Sequence, residues 1–552
     1  MQSLHPLVEK ILENRNITDR DAFLNPSYHD RPHPFLMKDM EQAVGRILRA
    51  IHNREAIAVW HDYDCDGVPG GALLSDFFKA IDYPVASYVP ERSEGYGLNE
   101  AGIKKLKDDG VSLLITVDCG ITDNEEVEYA DSLGIDVIVT DHHIPGASLP
   151  KGVAVLNPHR ADCAYPFKEL CGTGVAFKLV EGLLERGDFA LPKGWEKWLL
   201  DLVALATVAD MVPLISENRV LVHFGLVVIR KGRRPGLRAL FEAERVSFRS
   251  AVEDDLAFSI APKINAASRM DSPKKAFELL TTVSEDRSKE IAQELIKLNK
   301  ARKLEGMHVA KEVKRRIEAT PSLGDIIVMG HSSWRPSLLG IAATSVVETY
   351  GKTVCLWGKD GNIIKGSCRS NGSVNIVELM RTAESSFTDF GGHEFSGGFS
   401  VSEESIHTLH EALEGALHAV SLNGGLMAPR EAREPEEILT LAEANEAAYE
   451  ALRNLAPFGE GNPKPFFRIM RARVERLFRF GGHKEHAKVF LSDESGKEAE
   501  AISFFISRSP FRETFELLSR GDTVTLDASL ERSTFGGRPQ FRLRIESMAL
   551  TP

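Results

Sequence analysis

The chain has 552 residues, 43% hydrophobic and 27% charged, with a formal net charge of −13 at pH 7. Such a length exceeds what one hydrophobic core fills, so two to four domains are expected, with the composition of an ordinary soluble protein. The negative balance argues against wholesale nucleic-acid binding but leaves room for local basic surfaces, because recognition depends on the local field.

Residues 1–50 read as an N-terminal helical segment interrupted at Pro26, Pro32 and Pro34. The opening "MQSLHPLVEKILENRN" lacks the basic-then-apolar order of a secretory signal, and no apolar stretch is long enough to cross a bilayer. From 55 to about 215, apolar runs "AIAVW", "SLLITV", "DVIVT" and "VAVLN" alternate with helical stretches, which predicts βαβ units and a parallel sheet. "WLLDLVALATVADMV" (198–212) is apolar nearly all round and reads as a buried helix. Residues 284–319 carry Ile291, Leu295, Leu298, Leu304, Met307, Val313 and Ile317 at helical spacing, which predicts a connecting helix about 50 Å long. The alternative is a two-helix hairpin broken at Gly306.

A second α/β stretch follows in "DIIVMG", "LLGIAATSVVETY" and "TVCLW", and 421–437 reads as a linker. Three strands, a helix and two strands flanking "STFGGRPQ" then fit a small closed barrel of the OB kind. The expected organisation is α/β multidomain: an N-terminal segment at 1–50, a parallel-sheet domain at 51–283, the connecting helix at 284–319, a smaller α/β domain at 320–425 and the barrel at 430–552. The six cysteines form no CxxC pair, so structural zinc is not expected and a reduced cytoplasmic setting is.

Carboxylates recur where the predicted strands end. "AVW" runs into Asp62, Asp64 and Asp66, "LLITV" into Asp118, and "VIVT" into Asp141, His142 and His143; Asp210 ends the buried helix. In open α/β sheets, reactive groups gather beyond the carboxyl ends of the strands. A lone Asp after a strand is usually a cap or turn residue, but four such sites in topological order point to one cluster. Packed carboxylates resist ionising together unless a cation intervenes, and oxygen ligands with some imidazole suit Mn²⁺ or Mg²⁺. Two ions ~4 Å apart would clamp a phosphoryl group, making metal-assisted phosphoester hydrolysis the leading reaction class.

"DYDCDG", "VDCG", "TDHH" and "VADMVP" resemble the ordered motifs of the DHH phosphoesterase superfamily. "PERSEGYGLNE", "NPHR…YPFKELCGTGVAFKL", "KINAASRMDSP", "GSCRS", "GGHEFSGGF" and "LAPFGEGNPKPFF" narrow the resemblance to the RecJ single-strand-specific exonucleases over nearly the whole chain. The resemblance implies a DHH domain, a DHH-associated domain and an OB-fold barrel. It also implies dependence on two Mn²⁺ or Mg²⁺ ions, and 5′→3′ degradation of single-stranded DNA in recombinational and mismatch repair, with helicase and single-strand-binding proteins as partners and no membrane partner. Carried over residue by residue, Asp64, Asp66, Asp118, His142 and Asp210 match the metal ligands, with Asp62 and Asp141 in support. His143 matches the group that polarises the scissile phosphate or protonates the leaving group, and Arg269 the one that neutralises phosphate charge.

In the second lobe, the glycine-rich "GSCRS" and "GGH" read as turns, with Ser367, Arg369 and His393 as phosphate donors. Arg92 and Tyr96 are candidates for a pocket that takes the terminal phosphate or base. The barrel contributes "RIMRARVERLFRFGGHKEHAK", where Arg471, Arg473 and Arg476 stand among interleaved phenylalanines, a pattern for holding single strands. Pro69, Ser268, Arg335 and Cys368 depart from the family pattern. Two other readings stay open: a DHH phosphodiesterase for short oligonucleotides or cyclic dinucleotides, against which the barrel argues, and a non-catalytic DHH scaffold in a replication or repair complex, against which the intact ligand set argues.

Overall fold

The computed structural model describes residues 4–320, 323–427, 433–482, 484–533 and 540–551. Part of the predicted linker (428–432), His483 of the basic stretch and most of "STFGGRPQ" (534–539) lie outside the described residues.

The first lobe is built on five parallel strands: β1 (Ile57–His61), β2 (Val85–Tyr88), β3 (Leu113–Val117), β4 (Asp136–Thr140) and β5 (Ala154–Leu156), in the order β2-β1-β3-β4-β5. β1 and β3 are buried along their whole length because helices cover both faces of the sheet. This explains their unbroken apolar runs. β2 is one edge strand; its polar "VASY" hid it from the periodicity. The strand order reverses between β1 and β3, and at such a switch point the loops diverge and leave a crevice at the carboxyl ends.

The connecting helix is one element, Glu285–Glu318, started by Ser284, whose hydroxyl accepts a hydrogen bond from the Arg287 N–H. Gly306 does not break it. It is buried, and a Cβ there would stand 3.4 Å from Ile341, so the small residue admits the helix Pro336–Tyr350. Leu304 and Met307, expected on the apolar face, are exposed, and Val309 takes the buried position instead.

The second lobe holds β6 (Ile326–Gly330), β7 (Thr353–Asp360), β8 (Ile363–Arg369), β9 (Asp389–His393) and β10 (Ser396–Val401), in the order β6-β7-β8-β10-β9. "GSCRS" and "GGH", expected as turns, are therefore strand segments: Ser367 and Arg369 lie on β8 and His393 ends β9. Glycine is a poor strand former, yet close packing demands it here. A Cβ at Gly366 would fall within the Phe399 ring contact at 2.0 Å, and one at Gly397 would meet Met380 at 2.5 Å. Cys355 and Cys368 oppose each other across β7 and β8 as a buried disulfide, and the other four cysteines are free and buried.

The third unit contains β11 (Ile438–Leu439), β12 (Phe467–Phe480), β13 (His486–Ser492), β14 (Glu498–Ser503), β15 (Thr523–Ser533) and β16 (Gln540–Leu550). Pairing of β12 with both β13 and β15 closes the barrel. The N-terminal segment is shared between units: Leu7, Val8, Ile11 and Leu12 join the barrel core, whereas Met40, Val44 and Ile47 join that of the first lobe. "LAPFGEGNPKPFF" is the seam. Buried Arg219 of the first lobe donates to the carbonyls of Leu455, Ala456 and Pro457 at 2.9–3.4 Å, and Arg15 donates to Asn462 and Pro463. Among the described residues, no helix is long and apolar enough to cross a membrane.

Candidate metal and phosphate site

The carboxyl ends of β1, β3 and β4 deliver their acids to one crevice. Ligating atoms of Asp62, Asp64 and Asp118, of Asp66, His142 and Asp210, and of Asp118, His142 and His143 each fall within 4.8 Å of one another. His142 Nε2 lies 3.2 Å from Asp118 Oδ1, 3.7 Å from Asp210 Oδ2 and 3.8 Å from Asp66 Oδ2. The five positions matched to metal ligands thus share one site, and Asp62 lies inside the cluster rather than behind it.

Local chemistry holds each acid. Asp64 Oδ1 accepts the backbone N–H groups of Asp66 and Gly67, folding "DYDCD" back on itself, and Asn265 Oδ1 accepts the Cys65 N–H. Asp66 is gripped from 106 residues away by the start of helix Gly172–Arg186: the Gly172 N–H reaches Oδ2 at 2.6 Å and the Thr173 N–H reaches Oδ1 at 2.7 Å. Backbone donors at a helix N-terminus are a natural anion clamp. Asp118 has φ of 61°, in the left-handed region, held there by its N–H bond to the Thr140 carbonyl at 2.9 Å. Asp210 caps the carboxyl end of the helix Leu200–Ala209.

The electrostatics describe a site short of positive charge. Burial raises the pKa of Asp118 well above the carboxylate range, and the charges of Asp66, Asp64, Asp62 and Asp210 push it further. Burial likewise raises Asp62 and Asp210, with neighbouring carboxylates adding to the shift. His142 is lowered, first by burial and also by His143. Asp118 Oδ1 and Asp62 Oδ1 are buried without a hydrogen-bond partner. Orphaned carboxylate oxygens beside a neutral imidazole are a donor set that fits hard divalent cations.

Asp141 faces the other way. Its Oδ1 accepts from the His142 N–H, the His143 N–H and His143 Nδ1 at 2.7–3.1 Å, and its Oδ2 accepts from the Ile121 N–H. Burial opposes its charge, but the His143 hydrogen bond and imidazole charges outweigh that and hold its pKa below the usual range. Burial likewise works against protonation of His143, yet the Asp141 bond and charge lift its pKa to about 9. Tyr96, read from the sequence with Arg92 as part of a terminal pocket, donates its hydroxyl to the Asp118 carbonyl at 2.9 Å and sits 3.2 Å from His143 Nδ1, so it buttresses the cluster. Asn157 in "NPHR" holds the His143 carbonyl.

Arg269 sits where the lobes meet, its Nη1 donating to the Ser337 carbonyl at 3.2 Å, while the guanidinium of Arg92 lies 4.4 Å above the Tyr63 ring. On β8, Arg369 Nη1 donates to Ser367 Oγ at 2.9 Å. The pKa of His393 is depressed, first by burial and then by the charge of His143 across the crevice.

The barrel arginines lie apart from this crevice's residues, on strand β12. Arg471, Arg473 and Arg476 are exposed. Arg476 covers the Phe490 ring at 4.3 Å, and Phe478 and Phe490 neighbour each other at 6.0 Å. Phe467 is core, while Arg468, Arg479 and Lys488 are tied to Asp527, Glu516 and Glu500. Sequence reasoning missed Phe490 on β13, Phe504 just after β14 and Arg544 on β16, which extend this aromatic and basic face: Phe504 lies 6.4 Å from Phe480, and Arg544 covers Phe504 at 4.5 Å. It also assigned no role to Gly172, Thr173, Asn157 and Asn265. The signal for these was present in the quoted motifs, but nothing in linear spacing tied them to the aspartates.

Comparison with known proteins finds three matching family models. Residues 56–207 match the DHH family N-terminal domain, 323–419 the DHHA1 domain and 436–547 the RecJ OB domain. The single-stranded-DNA-specific exonuclease RecJ of Bacillus subtilis (strain 168) is 33% identical over 100% of this chain and 69% of its own length. That of Dickeya dadantii (strain 3937) is 34% identical over 93% and 91%. The crystal structure of RecJ from Thermus thermophilus in complex with Mn²⁺ is similar with a TM-score of 0.81 at 27% identity, covering 100% of this chain and 76% of that one. Its complex with Mg²⁺ gives 0.74 at 25% identity, covering 100% and 75%. The chain therefore belongs to the RecJ family of single-stranded-DNA-specific exonucleases.

Proposed function

We propose that this protein hydrolyses single-stranded DNA from the 5′ end to mononucleotides, dependent on Mn²⁺ or Mg²⁺, and serves recombinational and mismatch repair alongside helicase and single-strand-binding proteins in the cytoplasm. The observation that carries the reading is the convergence of Asp62, Asp64, Asp66, Asp118, His142 and Asp210, with buried carboxylate oxygens lacking any partner, at the crevice below the second lobe. Asp64, Asp66, Asp118, His142 and Asp210 would hold two divalent ions. Such ions supply Lewis acidity, neutralising phosphate charge and lowering the pKa of water.

The chain's own groups do the rest. Asp141 keeps a proton on His143 Nδ1 and orients the ring, leaving Nε2 to donate a proton to the departing oxygen. The Asp141 hydrogen bond and charge favour the protonated form of that imidazole. Arg269 opposes the charge that develops on the phosphate. Ser367, Arg369 and His393 form the far wall, on the second lobe, and bind the 5′ end. A narrow cleft between the two lobes would favour a flexible single strand over a stiff duplex. Arg471, Arg473 and Arg476, with the phenylalanines of the barrel face, would hold the strand by charge and stacking.

The test is substitution of the cluster. Asp64→Ala, Asp66→Ala and Asp118→Ala should each abolish Mn²⁺-dependent digestion of end-labelled single strands while the circular-dichroism spectrum is retained. Wild-type rates in any one of them, at matched metal concentration, would remove that residue from the machinery.

A further inference from the structure

The fold pairs its buried guanidiniums with care. Arg234 meets Asp76 and Asp201, Arg160 meets Asp39 and Asp162, and Arg46 meets Glu55 and Asp136. Buried Arg219, without an acid, is instead satisfied by the carbonyls of Phe23, Leu455, Ala456 and Pro457. Three partly buried arginines beside the carboxylate crevice have neither arrangement: Arg92, Arg269 and Arg302 form no ion pair among the described residues, and the Nε atoms of Arg269 and Arg302 are buried without any hydrogen-bond partner.

They reach one place from three elements. Arg92 follows β2, with Nε 3.5 Å from Ser268 Oγ, the neighbour of Arg269. Arg269 belongs to the helix Ala261–Met270, which packs along the connecting helix that carries Arg302. It is fixed at both ends, because its guanidinium donates to the Ser337 carbonyl and its own carbonyl accepts from Ser337 Oγ at 3.0 Å. Arg302 is aimed by the buried Asn299 one turn earlier, whose Oδ1 accepts from Nη2 at 2.9 Å. Burial, then the charges of Arg92 and Arg302, lower the pKa of Arg269 to about 9. Unpaired like charges with unsatisfied donors are costly unless an anion completes them, and Asp64 is the acid that offsets part of this field.

We propose that Arg302, from the connecting helix, forms with Arg92 a pocket for one backbone phosphate of the single strand, next to the cleaved phosphate that Arg269 faces. This rests on the exonuclease reading above. A phosphodiester is the anion that the reaction brings to this crevice, and the fork of a guanidinium matches its two free oxygens. Arg302 is a binding residue for the flanking nucleotide in this account and takes no part in bond cleavage. Because it rides on the helix that joins the lobes, a strand seated there contacts the first lobe, the connector and, through Arg269 and Ser337, the second lobe.

The test uses full-length protein with two substrates in Mn²⁺, a 5′-phosphorylated single-stranded oligonucleotide and bis(p-nitrophenyl) phosphate, which has no flanking phosphate. Oligonucleotide affinity is read separately in EDTA over a range of salt. Arg302→Gln should weaken oligonucleotide binding and raise its KM about 10- to 100-fold. The log–log salt slope should fall by roughly 0.7, one phosphate contact. Hydrolysis of the small diester should stay within about twofold, with an unchanged melting temperature. Arg302→Lys should recover part of the affinity, and Asn299→Ala, which keeps the charge but loses its aim, should fall between. Unchanged oligonucleotide KM and salt slope in Arg302→Gln would overturn the pocket, as would equal loss on both substrates with a lowered melting temperature. Wild-type digestion of the oligonucleotide in the same plate reports on the exonuclease reading independently, so failure of the pocket and failure of that reading give different results.

Discussion

Replacing Gly172 by alanine changes no metal ligand, yet it should disable the site. The new Cβ would stand 2.5 Å from Asp118 Cβ, 2.7 Å from its Oδ1 and 2.8 Å from its Cα. Ordinary carbon contacts lie near ~3.5–4.0 Å, so something must move by about 1 Å. Asp118 is pinned by its N–H bond to Thr140, and the Gly172 N–H is pinned to Asp66 Oδ2. Relief therefore displaces either Asp118 or the clamp on Asp66. Overpacking of this kind costs about 1–3 kcal/mol of stability, and misplacing a catalytic group by about 1 Å costs about 100-fold in rate. The assay is the initial rate of nucleotide release from an end-labelled single strand across a Mn²⁺ titration, with thermal melts alongside. Gly415→Ala is the control: it lies in the helix Leu409–Leu422, where an added Cβ would meet open space, so it should be neutral or stabilising by up to about 1 kcal/mol. A Gly172→Ala rate within threefold of wild type, with the same Mn²⁺ dependence, would refute the reasoning.

Arg219→Met should destabilise the protein by about 3–5 kcal/mol, since it strips donors from the carbonyls of Phe23, Leu455, Ala456 and Pro457 at the seam; proteolysis releasing the barrel before the first lobe unfolds would report it, and a wild-type melt with unchanged proteolysis would contradict it. Asp123 gives a pH prediction: burial, against the Leu98 N–H bond, raises its pKa from 3.8 to about 6. The folded state then holds the proton more tightly than the unfolded chain, so its contribution to stability is full below about pH 4 and falls as pH rises through 6, by at most about 3 kcal/mol and less with solvent screening. Asp123→Asn keeps an acceptor for Leu98 and should flatten the stability curve between pH 4 and 6 in urea titrations; an unchanged curve would place the titration elsewhere. Replacing Arg471, Arg473 and Arg476 together by glutamine should weaken single-strand affinity and flatten its salt dependence while leaving hydrolysis of a small diester unchanged; unchanged affinity would make this face mere solvated surface.

What the sequence made legible follows from where physics writes a periodic or positional signal. β1, β3 and β4 are buried on both faces, so their runs are continuous and each acid at a strand end stood out. The connecting helix was readable from its spacing, although Gly306 resembles a break until Ile341 is seen against it. The closed barrel and its element order were readable too. β8, β9 and β10 were not, because glycines required by Phe399 and Met380 look like turns in isolation. Tyr96 was read as a candidate for the terminal pocket, and nothing local shows that its hydroxyl also reaches Asp118 and His143. The grip of Gly172 and Thr173 on Asp66 depends on a contact formed only by the fold. The aromatic face was half visible, since Phe478 lies in the basic stretch but Phe490 comes from β13 and Phe504 from the bend after β14.

The central claim is metal-dependent cleavage of single strands from the 5′ end. The most direct measurement is a time course of purified protein on single strands blocked at one end or the other, and on blunt duplex, with Mn²⁺ or EDTA. Mononucleotides should accumulate in Mn²⁺ from strands with a blocked 3′ end, with none from strands with a blocked 5′ end, from duplex or in EDTA. Digestion that persists with the 5′ end blocked, that proceeds equally on duplex or that survives EDTA would contradict the account.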